Sequence, residues 1–178
     1  MKRLKNTKRG ELSTDQIEKR FGEVTIELIK HAKVREIYLL DQQKRSLAYA
    51  ITFFRFDKNN AEVARAHNII KNGGMIGKTL REAGFVPERH LLWTGKVRLP
   101  KWLSNKFETP DEKAATQLLE FWITNKVGQR TLYAVIMEVL NPKYNIELSS
   151  SDVRYEVPKL GLTERIYLWR RGLKTLSN

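Results

Sequence analysis

Between positions 24 and 56 the chain repeats one pattern: short stretches of alternating apolar and polar residues, joined by only a few polar ones. Val24, Ile26 and Leu28 alternate with Thr25 and Glu27, and the stretches 34–40 and 46–56 follow, with the polar run 41–45 between them. Alternation with a period of two marks a β-strand. Strands joined by so few residues pair antiparallel, because a parallel partner needs a crossover of a dozen residues or more. The pattern therefore predicts an antiparallel meander of strands at 24–31, 34–40 and 46–56.

Helix signals flank the meander. Ser13 with Gln16 three residues on has capping-box spacing and predicts a helix that ends near Gly22. Asn59 with Glu62 repeats the spacing, and Val63, Ala66 and Ile70 then share one helical face as far as Asn72-Gly73-Gly74. A short helix is expected from Gly77 to Gly84, which suits a left-handed residue after the last turn. Thr109, Pro110, Asp111 and Glu112 predict another helix start. The stretch 115–123 fits both periods and is read as a helix giving way to a strand. The clearest strand is 131–140, stopped by Asn141-Pro142. Two strand-like runs, 153–157 and 165–170, surround a turn at 158–161 and predict a C-terminal β-hairpin. The result is a single α+β domain: a basic tail at 1–12, a core at 13–142, and an extension at 143–178 that belongs to the same domain.

Composition narrows the chemistry. A chain of 178 residues without cysteine has no disulfide framework and no thiol nucleophile. No apolar run approaches the ~20 residues that span a bilayer, and no apolar stretch follows the basic residues at the start, so a cytoplasmic protein without a membrane partner is expected. The formal charge of +13 fits either a nucleic-acid surface or a field that gathers small anions. No nucleic-acid recognition motif accompanies it.

Two charged residues fall among apolar ones. Alternation places Arg35 with Ile37 and Leu39, and Glu138 with Leu132, Ala134, Ile136 and Leu140. A buried charge costs several kcal/mol unless it is paired, so such residues are either paired or used. The plainer alternative leaves Arg35 on a face shared with solvent and Glu138 at a strand end. The run Gly73 to Thr79 lacks the first glycine of a phosphate loop, which Asn72 replaces, and it follows a helix rather than a strand. His31, His67 and His90 stand singly, without metal-ligand spacing, so neither a metal nor another cofactor is expected.

The ordered string of features resembles the chorismate pyruvate-lyase family, whose fold also serves as the effector-binding domain of some bacterial transcription regulators. Four stretches carry the resemblance: the helix Asp15-Gln16-Ile17-Glu18-Lys19-Arg20-Phe21; Val34-Arg35-Glu36-Ile37-Tyr38-Leu39-Leu40, similar to the family's "LREILL"; Met75-Ile76-Gly77-Lys78-Thr79-Leu80, similar to "PLGRYL"; and 128–142, similar to "GKPLLLTELFLP". The resemblance covers roughly residues 13 to 142.

It implies an antiparallel sheet with helical flaps over a buried pocket, and the conversion of chorismate, a small anionic dicarboxylate, to 4-hydroxybenzoate and pyruvate. It implies Arg35 and Glu138 as catalytic residues, and Arg35, Ile76, Gly77, Ile17 and Tyr49 as substrate-binding ones. Tyr49 stands where the enzymes often have a glycine, 94–116 is longer than the family pattern and lacks its "LWGRRS" strand, and about 36 residues follow the last matching strand. Two alternatives remain open: a non-catalytic effector-binding pocket, although only about a dozen residues precede the first helix where a regulator would carry a helix-turn-helix domain, and a nucleic-acid-binding accessory protein.

Overall fold

The computed structural model describes residues 13–146 and 160–173. Six strands form one antiparallel sheet: β1 (Thr25–His31), β2 (Val34–Leu40), β3 (Ser46–Phe54), β4 (Val86–Arg98), β5 (Lys113–Thr124) and β6 (Arg130–Leu140), in the order β1-β2-β3-β6-β5-β4. The sheet is thus two three-stranded meanders zipped together along β3 and β6. Between them the chain runs through α2 (Ala61–Lys71) and α3 (Ile76–Glu82) to reach the far edge. Helix α1 (Ser13–Phe21) precedes β1, α4 (Lys101–Phe107) links β4 to β5, and α5 (Leu162–Arg170) closes the described chain.

The helices divide between the two faces. Val63, Ala66, Ile70 and Leu80 of α2 and α3 pack on Leu119, Phe121, Ala134 and Ile136. Leu103, Phe107 and Leu168 of α4 and α5 pack on Tyr49, Ile51, Val135 and Met137 of the opposite face. Alternation along β3 and β6 sends successive residues to these two cores.

The meander β1-β2-β3 and the strand β6 lie where the alternation predicts them. α2 is capped by Asn60, whose side chain accepts from the Val63 amide at 3.2 Å, rather than by Asn59, whose amide donates to Asp57 in the preceding turn. Gly84 follows α3 with φ +87°, the left-handed conformation expected there.

Three expectations are corrected. Thr109 to Glu112 starts no helix: the Thr109 hydroxyl donates to Asp111 and accepts from its amide, a local turn, and the helix of this region, α4, lies before it. The run 113–124 is strand throughout, because β5 lies between β4 and β6 and buries both faces, so its apolar residues mimic helical spacing. The run 165–170 is the helix α5 and not a strand of a hairpin. The Glu164 carboxylate accepts from the Gly161 amide at 2.8 Å, and Leu168 one turn on is buried. The expected strand 153–157 lies outside the described residues.

The long edge strand β4 had no forecast. A bulge between Leu91 and Trp93 breaks its alternation, and Pro87 near its start is tolerated because edge strands leave one row of amides unpaired.

Candidate functional site

Arg35 lies on β2, opposite His31 of β1 and Thr52 of β3. It is 1% exposed. Its Nη2 donates to the Gly74 carbonyl at 2.8 Å, its Nε has no hydrogen-bond partner, and no carboxylate pairs with it among the described residues. Burial pulls its pKa down to about 10, so it still carries its charge at neutral pH.

The glycine pair of the α2–α3 connection makes this contact possible. A Cβ on Gly74 would lie 2.7 Å from the Thr79 hydroxyl and 3.0 Å from the Ile69 carbonyl, so only glycine lets the backbone fold so tightly over the guanidinium.

Glu138 lies on β6, on the same face. Alternation sets it beside Ile136, and the register runs from Glu138 through Ala50 of β3 to Ile37 of β2. Its Oε2 accepts from Gln117, its cross-strand partner on β5, and from Arg89 Nη2 of β4 at 3.3 Å. Arg35 and Glu138 are two strands and two residues apart, which standard sheet spacings convert to roughly 12 Å between their Cα atoms. Ala50 and Thr52 form the floor between them, and the cavity above is small, about 60 Å³, and partly open to solvent. Its walls come from Ile37, Leu119 and Ile136 of the sheet, Thr14 of α1, and Met75, Ile76 and Gly77 at the start of α3.

Arg35, Glu138, Ile76 and Gly77, named from the sequence, therefore line one pocket. Two other named residues do not. Ile17 is buried with Val24, Leu39 and Leu47 beneath α1, and Thr14, one turn earlier, is the α1 residue that reaches the pocket. Tyr49 points through the sheet to the opposite core, since its pairs are Tyr38 and Val139, while Ala50 takes the pocket side. Its hydroxyl donates to Glu36. The sequence reading missed Arg89 and Gln117: neither β4 nor the full length of β5 was legible, and only strand pairing brings these side chains to Glu138.

On the opposite face Glu36 is 3% exposed and fully engaged. Arg171 Nη2 donates to its Oε2 at 2.6 Å, and the hydroxyls of Tyr49 and Tyr167 donate to its two oxygens. The Arg171 guanidinium lies 4.3 Å above the Trp102 ring. Burial, and then the bond to Glu36, push the pKa values of Tyr49 and Tyr167 well up, so both stay protonated donors.

Among the described residues no group of three His, Asp or Glu is placed to hold a metal ion, and no helix is long and apolar enough to cross a membrane. No protein-family model matches the chain, and no curated protein matches it.

Proposed function

We propose that the pocket between Arg35 and Glu138 binds a small cyclic or aromatic carboxylate, and that the chain is a chorismate pyruvate-lyase or a close relative. The observation that carries this reading is Arg35: a guanidinium 1% exposed, facing a pocket, with a backbone carbonyl as its partner and no carboxylate among the described residues. Buried charges are retained when paired, and the missing partner here has the chemistry of an incoming carboxylate, which a guanidinium holds through charge-assisted bonds. The walls are apolar, as a ring requires, and the ends of α1 and α3 must part to admit one, since the cavity is about 60 Å³.

In the reaction, the ether C–O bond of chorismate breaks, a ring proton is lost as the ring becomes aromatic, and a proton returns to the enolpyruvyl methylene to give pyruvate. The electrons balance within the substrate. Arg35 holds the ring carboxylate, Glu138 at the far end of the pocket relays the proton, and Arg89 beside it offers a second cation to the dicarboxylate. The ends of α1 and α3 act as flaps that exclude water.

The test is incubation of the purified protein with chorismate, with 4-hydroxybenzoate and pyruvate measured in equal amounts. Glu138→Gln should lower kcat by about 100-fold or more and leave 4-hydroxybenzoate affinity largely intact. A protein that neither turns over chorismate nor binds 4-hydroxybenzoate ends the proposal. A second reading, a non-catalytic effector pocket, is favoured by the bonds Glu138 already makes to Arg89 and Gln117. Binding of 4-hydroxybenzoate without turnover selects it. That the protein works in the cytoplasm belongs to the same reading and is tested by localising a tagged copy.

A further inference from the structure

The pocket uses little of the chain's positive charge. At the end of the sheet where β1 turns into β2 and β3 leaves for α2, a groove of about 1050 Å³ opens between α2 and α5. Lys30 comes from the end of β1, Lys33 from the β1–β2 turn, Lys58 from the β3–α2 connection and Lys71 from the last turn of α2. All four are exposed, and none forms an ion pair among the described residues. The groove's one acidic lining residue among those described, Glu164, is spent on Arg55. The Lys30 ammonium rests 5.2 Å over the Tyr167 ring.

Between the lysines lie aromatic rings. Phe56 stacks on Tyr133 with centroids 5.2 Å apart and planes at 15°, Phe54 meets His67 edge-on at 4.5 Å, and His31 and His67 are 5.4 Å apart. Phe54, Phe56, His31 and His67 all line the groove and are partly exposed. The His67 Nδ1 is bonded to the Tyr133 hydroxyl at 2.9 Å. Burial, and then the charges of His31, Lys71, Arg35 and Lys58, hold the His67 pKa down to about 4, so at neutral pH the imidazole is an uncharged ring among lysines.

We propose that this groove binds single-stranded nucleic acid, with Lys30, Lys33, Lys58 and Lys71 on the phosphates and Phe54 and Phe56 offering faces to the bases. Four ammonium groups with no acidic partner among the described residues, Lys30 meeting only the Tyr167 ring and hydroxyl, repel one another along one channel, and a polyanion relieves them all at once. The groove's volume of about 1050 Å³ lies at the top of the roughly 300–1,000 Å³ range of small-molecule sites. Rings set between cations are the stacking platform of single-strand binders, whereas a duplex keeps its base faces hidden. This inference is independent of the Arg35 pocket.

The experiment is fluorescence anisotropy with a short labelled oligo(dT). Four phosphate contacts on a single strand predict a log K against log [salt] slope of about −3. Lys58→Glu/Lys71→Glu should weaken binding at least about tenfold and flatten the slope by about 1 to 2, since each lost phosphate contact removes about 0.7. Lys113→Glu/Lys126→Glu makes the same charge change at exposed positions outside the groove and should stay within about threefold of the wild type, each such charge acting only through a screened field. Equal weakening by the two pairs overturns the proposal, as does the absence of binding. Competition by duplex DNA or by base-free polyphosphate that equals oligo(dT), phosphate for phosphate, also overturns it. Phe56→Leu should lower the preference for oligo(dT) over polyphosphate, and Lys58→Gln/Lys71→Gln gives the charge result again without reversal of sign. Circular dichroism checks that each variant is folded.

Discussion

Arg35 and Glu36 are neighbours in the chain, almost equally buried at 1% and 3% exposure, and they point to opposite faces of β2. Glu36 is met by an arginine and two tyrosines, so its charge is neutralised by groups that the fold itself supplies. Arg35 is met by one carbonyl and an open space. Burial alone therefore does not mark a site; what distinguishes the two charges is whether the fold provides the counter-charge. On the Glu36 side it fastens α5 to the sheet. On the Arg35 side it leaves the charge for something else.

The comparison can be broken most sharply at Glu36. Glu36→Leu should cost about 2 kcal/mol in urea unfolding, because it leaves the buried Tyr49 hydroxyl, the half-buried Tyr167 hydroxyl and the one-third-exposed Arg171 guanidinium without their acceptor. A cost below about 1 kcal/mol would mean that the network is dispensable.

Arg35→Met should do the opposite. It removes a desolvated charge that has no acidic partner among the described residues, so stability should stay within about 1 kcal/mol, while 4-hydroxybenzoate binding measured by calorimetry should fall by about 2 kcal/mol. If stability collapses and binding persists, the roles of the two faces are reversed.

Tyr49→Phe sharpens the division at a finer scale. Loss of one donor to Glu36 should cost about 1 kcal/mol of stability and leave ligand affinity unchanged, since the ring lies on the face away from the pocket. A changed affinity would mean that the two faces communicate through β3.

A last effect, confined to acid pH, concerns His67. Its folded pKa of about 4 lies below the ordinary 6.5, so between those values the unfolded chain binds more protons than the folded one. Its contribution is present above pH 6.5 and is lost as pH falls toward 4. Carboxylates titrate over part of that window too, so the measurement is the difference between wild type and His67→Gln. The wild type should lose stability more steeply across it.

The first meander, α2, α3 and β6 were legible because each carries its own periodicity or cap. Arg35 and Glu138 stood out for the same reason, as charges on the apolar side of an alternating strand. Their common pocket rests on β3, which pairs with its hairpin partner β2 and also with β6, and that second pairing, Ala50 with Glu138, is one that no local pattern encodes. Tyr49 was named because it stands where the resembled enzymes often have a glycine, and it lies on the face away from the pocket, since one step along a strand reverses the side chain. The run 165–170 reads as a strand but is part of the helix α5, with Ile166 and Trp169 exposed and Leu168, Tyr167 and the following Arg171 docking it to the sheet.

By itself the sequence determined the antiparallel character of the sheet, the strands that carry Arg35 and Glu138, and the glycine turn at 73–74, because alternation, short connections and missing Cβ atoms act over a few residues. Tertiary structure alone decided that β5 is a strand and α5 a helix, that Arg89 and Gln117 meet Glu138, and that Glu36 is neutralised where Arg35 is not. Each of these depends on a partner far away in the chain, and the free energy of placing a charge or an ambiguous segment is set by what packs against it.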